Sequence, residues 1–138
     1  MNMFAIKAEV SDTGTESFAF NAQKTMYGGK RITAGDTVFV FASENSGGQG
    51  LVVRGLVTAA EAIPKNPALD RQTPRVSVAV KRTGFARQRL GRLELKSFSH
   101  WSDARPETEL NFKLYRQATD KIVGISDDTA AYLQGFFS

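Results

Sequence analysis

Two segments of this chain are apolar on both faces. The first is Thr37-Val-Phe-Val-Phe-Ala-Ser43, and the second, Gly50-Leu-Val-Val-Arg-Gly-Leu-Val57, follows a glycine-rich turn. A strand that alternates apolar and polar residues can leave one side in water; strands like these need cover on two sides. A small closed barrel wrapped by further elements meets that demand, and Gly55 supplies the freedom for the sharp coiling that closure requires.

The length of 138 residues suits a single domain, 1–138, with a real core. The start, Met1-Asn-Met-Phe-Ala-Ile-Lys7, has neither the charged head nor the long apolar segment of a signal peptide. No apolar run approaches a membrane span. The expectation is a cytoplasmic protein with no membrane partner. Absence of cysteine excludes disulfides, thiolate metal sites and a cysteine nucleophile. The single histidine, His100, excludes a two-histidine zinc site, and the acids are scattered apart from Asp127-Asp128. Neither metal nor cofactor is expected, and oligomeric state is left open.

Charge is unevenly placed. Residues 1–70 carry six Lys/Arg against seven Asp/Glu, residues 71–96 carry eight against Glu94 alone, and residues 97–138 carry four against six. A central basic block of this kind is the electrostatic footprint of a polyanion binder. The bland alternative is a solvated cationic edge that resists aggregation.

Along the chain, residues 3–9 read as a first strand with Ala5 pointing inward between Phe4 and Ile6. Residues 15–31 lack a sustained period and read as a short helix or ordered loop. The linker 44–50 is a hairpin turn; a phosphate-binding loop would need a helix and lysine after its glycines. Residues 75–82 alternate cleanly, with Val76, Val78 and Val80 on one face. Residues 91–96 repeat the pattern, with Leu93 and Leu95 inward, so the basic side chains of both segments would share a wet surface. Residues 110–114 alternate as a strand, and residues 122–125 form another. Ser126 caps a final helix whose first turn holds Asp127 and Asp128 and whose apolar face is Ala130, Leu133 and Phe137.

The order of elements and several phrases resemble the PUA-like superfamily, and within it the EVE and YTH-like branch. The phrases are Met3-Phe-Ala-Ile-Lys-Ala8, Phe18-Ala-Phe-Asn-Ala-Gln-Lys24, Ile32-Thr-Ala-Gly-Asp-Thr-Val-Phe-Val-Phe41, the Gly50–Val57 strand, and the tail Leu114-Tyr-Arg-Gln117 with Ile125-Ser-Asp-Asp-Thr-Ala-Ala-Tyr-Leu133, which resembles the last hairpin and closing helix. The resemblance implies an α+β fold, a mixed, bent β-barrel of five to seven strands with flanking helices. It also implies binding of DNA or RNA, with a modified base held in an aromatic pocket. The chain departs from the EVE pattern: Phe18, Phe20 and Tyr27 stand where that branch has tryptophans, and its sole tryptophan, Trp101, lies much later.

A flipped base needs flat walls for stacking and a few groups for its edge. The candidate base-binding residues are Trp101 with Phe98, opposed by Phe20 and Tyr27, with Asn21 to read an edge. The candidate phosphate-binding residues are Lys24, Lys30 and Arg31 around Gly28-Gly29, and Arg82, Arg87, Arg89 and Arg92, read as an Arg-rich hairpin tip around Phe85. Catalysis has weaker support. The ASCH branch of the same superfamily implies a hydrolase using lysine, threonine and glutamate, for which Lys24, Thr25 and Glu44 supply the residue types. Ser99, His100 and Asp103 resemble a triad in composition only. The alternatives carried are a small-ligand (nucleotide-like) hydrolase or binding protein using the barrel pocket, and a module whose basic face meets an acidic protein.

Overall fold

A computed structural model describes residues 2–69 and 72–137. Six strands, β1 (Met3–Ala8), β2 (Ser17–Met26), β3 (Thr37–Ala42), β4 (Gly50–Ala62), β5 (Arg75–Phe85) and β6 (Lys121–Gly124), close into a barrel in the order β1-β3-β4-β5-β2-β6. The β1–β3 and β2–β6 pairs are parallel and the others antiparallel. Three short helices lie against it: α1 (Arg92–Leu95), α2 (Pro106–Leu110) and α3 (Asp127–Gln134).

Two apolar layers meet at β1 and β3, which explains why those strands lack a polar face. Inside the barrel, Phe4, Ile6 and Ala8 pack with Val38, Val40, Val53, Val57, Val76, Val78 and Val80. Outside it, Ala5, Phe39, Phe41 and Val123 pack under Leu95, Leu110, Leu114, Leu133 and Phe137 from the helical side. Full burial is worth about 1.5–3 kcal/mol for each large apolar side chain. Phe39 and Phe41 therefore fasten the helical layer to the barrel as firmly as Val38 and Val40 close its interior.

The strand alternation also corrects the expectation for β1: Phe4 and Ile6 point into the barrel, and Ala5 faces the helices. Residues 17–26 are a long strand and not a helix or loop. Phe18 and Phe20 stack on each other, ring centroids 6.0 Å apart, opposite Val80 and Val78. The period then breaks at a bulge between Phe20 and Gln23, where Ala22 has φ 50°, and that break conceals the strand in the sequence.

Residues 91–96 form no strand. Glu94 accepts from the Gly91 amide at 2.8 Å and Glu44 from the Arg92 amide at 2.6 Å, so two carboxylates hold the first turn of α1. Leu95 is buried while Leu93 is 61% exposed. The expected second basic strand, and the hairpin tip it implied, are absent. Residues 110–114 are helical too. Pro106 starts α2, and Leu110 and Leu114 share its buried face at a spacing of four. Past Leu110 the helix widens over Asn111–Tyr115, where the Arg116 amide donates to the Asn111 carbonyl five residues back at 2.9 Å. Ser126 caps α3 as expected, its Oγ accepting from the Thr129 amide at 3.2 Å.

Gly55 is buried in a bulged stretch of β4, paired with Val38 and Arg82. A Cβ there would collide with Val80 Cγ1 and stand 3.0 Å from the Lys81 carbonyl oxygen. Gly55→Ala is expected to lower stability by about 1–3 kcal/mol through overpacking, read as a reduced midpoint in urea unfolding. An unchanged midpoint would show that β4 does not need its glycine to coil.

Candidate nucleic-acid interface

The wide turn Asn111–Tyr115 aims Phe112 away from the core. Asn111 donates through Nδ2 to the Phe98 carbonyl at 3.0 Å, tying this turn to the preceding loop. Phe112 thereby becomes the centre of an aromatic face on the outside of the barrel. Trp101, from that loop, meets it edge-on at 5.3 Å and 67°. Tyr27, just past β2, meets it at 5.8 Å and 56°. Trp101 remains 46% exposed and Tyr27 38% exposed, so neither is a core anchor. Wide helical turns recur at functional sites because they re-aim side chains in this manner.

A cleft of about 430 Å³ opens beside this face, lined by Trp101, Phe112, Ala104, Arg105, Lys113 and Asp128 among others. Its size is in the range of small-molecule sites. A second concavity of about 340 Å³ adjoins it through Lys113 and Ser126 and brings in Asn2, Tyr27, Gly28 and Arg31. Both concavities touch strained backbone. Tyr27 (φ 53°) and Ala104 (φ 60°) are non-glycine residues in the left-handed region, a conformation costing on the order of 1–3 kcal/mol each. The Tyr27 carbonyl accepts from the Gly124 amide at 3.1 Å, which holds the end of β2 against the end of β6.

Cations surround the rings. The Arg116 guanidinium lies 4.1 Å from the Phe112 centroid, and Lys113 Nζ 5.6 Å from that of Tyr27. Lys113 also donates to the Gly124 carbonyl at 2.7 Å and to Glu109 at 3.1 Å. Glu109 is the junction of the cleft floor, accepting from the Ser126 amide (2.9 Å), Ser126 Oγ (2.6 Å) and Thr129 Oγ1 (2.8 Å). Burial pushes its carboxyl up, but the hydrogen bonds from Ser126, Thr129 and Lys113 outweigh that and hold it below the ordinary carboxylate value.

The expected residues are dispersed, with one convergence. Tyr27 and Trp101 meet through Phe112, and Arg31 lines the second concavity with Tyr27; Lys30, exposed, precedes Arg31 on the turn Gly29–Arg31 and lines neither concavity. Phe98 is half-buried behind, contributing its carbonyl. Phe20 is not part of this face: it packs in the barrel core and borders a separate concavity with Phe18, Glu9 and Asp12. Asn21 is exposed at the β2 bulge and lines neither concavity.

The central basic block is likewise divided. Arg75, at the start of β5, pairs with Lys24 of β2, and the two line a different concavity from that of Tyr27 and Arg31. Arg82 donates to the Gly14 and Thr15 carbonyls at 2.9 and 2.7 Å and covers Phe85, so it binds the chain to itself. Arg89 pairs with Glu94 at 3.5 Å, Arg92 donates to Asn45 at 2.9 Å, and Arg87 is exposed beyond β5. Arg71 lies outside the described residues. Sequence reading missed Phe112, Lys113 and Arg116, whose helical placement was hidden by the alternation of residues 110–114, and Arg105, the extended residue that precedes α2.

No catalytic set assembles from the composition. The Thr25 hydroxyl donates to the Pro74 carbonyl at 2.7 Å, and Glu44 is engaged by Tyr115 and the Arg92 amide. Ser99, His100 and Asp103 lie in one exposed turn. Among the described residues no group of three His, Cys, Asp or Glu is placed to hold a metal, and no helix is long and apolar enough to cross a membrane.

No family model and no curated protein sequence matches the chain. Solved structures do. The human THYN1 protein in complex with DNA containing 5-methylcytosine superposes with a TM-score of 0.63 at 12% identity, over 98% of this chain and 96% of that one. The DUF55 domain of human thymocyte nuclear protein 1 gives 0.60 at 13% identity, over 96% of each chain. A Pseudomonas putida protein gives 0.58 at 14% identity, over 97% and 98%. The chain therefore shares its fold with these structures, a closed mixed β-barrel with flanking helices, which is the architecture that the sequence resemblance implied.

The depressed carboxyl of Glu109 has a pH consequence. Its contribution to stability is complete above the unfolded value of about 4.5 and is lost as pH falls through the lower folded value. Glu109→Gln is expected to reduce Tm at pH 7 and to flatten the fall in Tm between neutral and acid pH. A variant with the same acid limb as the native chain would remove Glu109 from this role.

Proposed function

We propose that the protein is a nucleic-acid-binding module that stacks a base on the Trp101–Phe112–Tyr27 face and holds the adjoining phosphates with Arg31, Lys30 and Arg105. The observation that carries this reading is the convergence of two exposed rings, from segments far apart in sequence, on one ring beside a base-sized cleft rimmed by cations. Strained backbone at Tyr27 and Ala104 adds support, because such strain clusters at binding sites. So does the DNA in the complex of the human THYN1 protein.

In the finer form of the proposal the base is modified. A methyl group on a pyrimidine would lie against the apolar wall of Trp101, Phe112 and Ala104, while Ser126 and Asp128 face the polar edge. Stacking supplies affinity without sequence preference, so discrimination falls to these edge groups.

Trp101 is the sole tryptophan, and its fluorescence reports directly on the site. Titration with short single-stranded DNA and RNA, with and without methylated cytosine, is expected to quench it. Phe112→Ala should weaken binding by about 5- to 150-fold, the equivalent of one lost stacking contact. Arg31→Ala should reduce the slope of log affinity against log salt by about one, as for one phosphate contact. Absence of binding at low salt, or an affinity indifferent to Phe112→Ala, would overturn the proposal.

A further inference from the structure

At the opposite end of β1 from the aromatic face, four cations stand in a row. Lys7 and Lys121 are directly paired on β1 and β6, and Lys24 and Arg75 on β2 and β5. The parallel register Thr25↔Ile122 puts Lys24 level with Lys121. Four neighbouring strands thus each present a positive side chain at one height. Like charges directly opposite one another weaken a sheet, so this arrangement costs stability as it stands.

Burial sharpens that cost. Lys7 is 0% exposed and Lys121 1%. Lys7 Nζ donates to the Ala118 carbonyl at 3.2 Å and Lys121 Nζ to the Gln117 carbonyl at 3.0 Å, one acceptor each for ammoniums that have three donors. Neither makes a salt bridge among the described residues. Burial lowers the pKa of both, that of Lys121 to about 8, with the charges of Lys7, Lys24 and Arg116 acting in the same direction against Asp120. Glu44, the other nearby acid, is already held by Tyr115 and the Arg92 amide.

A cleft of about 370 Å³ opens at this rim, lined by Lys24, Arg75, Ser43, Asn45, Ala118 and Asp120 among others. Ser43 is 1% exposed, and its Oγ has no hydrogen-bond partner among the described residues. The orphaned hydroxyl therefore shares one concavity with two cations of the row, Lys24 and Arg75, while Lys7 and Lys121 lie buried on the adjoining strands. Asp120 is the one carboxylate among the described residues lining it and offsets only part of the charge.

We propose that this cleft binds a phosphoryl group, gripped by Lys24, Arg75 and the Ser43 hydroxyl over the buried charges of Lys7 and Lys121. Phosphate oxygens supply acceptors for Ser43 Oγ and the Lys24 ammonium, and for the donors of the Arg75 fork other than Nη1, which donates to the Ala22 carbonyl at 2.8 Å. A bound dianion converts a repulsive row into an attractive one. The site is separate from the aromatic face and stands whether or not a base binds there.

The test is thermal unfolding of the full chain in inorganic phosphate against chloride at matched ionic strength. Phosphate is expected to raise Tm by about 3 °C or more. Lys24→Ala and Arg75→Ala, both outside the core, should each remove most of that increment, and Arg87→Ala should leave it intact. Lys121→Met should be more stable in chloride, having lost a buried charge, and insensitive to phosphate. Competition identifies the source: displacement by an oligonucleotide without terminal phosphates assigns the site to a polynucleotide backbone, and displacement only by a mononucleotide assigns it to a free or terminal phosphate. No phosphate increment in the native chain, or one that survives Lys24→Ala and Arg75→Ala, would overturn the proposal.

Discussion

Burial of β1 and β3 on both faces is the constraint from which the rest of the architecture follows. Ile6 and Val40 fill the barrel while Ala5, Phe39 and Phe41 meet the helices, so neither layer can shift without exposing the other. The helical layer is consequently fixed in place although its helices are only a few residues long. Leu110 and Leu114 lock the α2 segment against Phe39 and Val123, and Phe112, two residues from each, is left to project outward toward Tyr27 and Trp101. The outer core thus does the positioning for the aromatic face.

Charge is organised differently at the two ends of β1. Near Met3 and Gly124, Lys113 is matched with Glu109, and Glu109 in turn gathers Ser126 and Thr129, giving a balanced network under a partly apolar cleft. Near Ala8 and Lys121 positive charge is concentrated without balance. A polar network satisfied throughout fixes geometry, whereas unbalanced buried charge stores a preference for an oppositely charged guest. The two proposed sites therefore differ in kind, a partly apolar aromatic face at one end of β1 and a cationic cleft at the other.

Much of the barrel was legible because its signals are local. Doubly apolar runs, the clean Val76-Val78-Val80 alternation and the Ser126 cap each identify an element without reference to the rest of the chain. Misreadings came where period and context disagreed. Leu93 and Leu95, and Leu110 to Leu114, alternate like strands, yet carboxylates at α1 and Pro106 at α2 select helices. The Ala22 bulge concealed β2. For the candidate site, Trp101 stood out as an aromatic in a polar loop and Tyr27 as a ring beside Gly28-Gly29, but Phe112 did not stand out, since a helix had to be known before its outward face could be. Lys7 and Lys121 became notable only through register, which sequence spacing does not reveal. The basic block was real in sequence and divided in space, because residues 75–96 run the length of β5 and then cross to the helical side.

Mapping of chemical-shift changes and intermolecular contacts by NMR, with a short methylated oligonucleotide added to the labelled chain, addresses the central claim most directly. The account predicts that the Trp101 indole and the Phe112 and Tyr27 rings show the largest ring-current shifts and direct contacts to one base. Shifts confined to other surfaces, with those three rings unchanged at saturation, would contradict it.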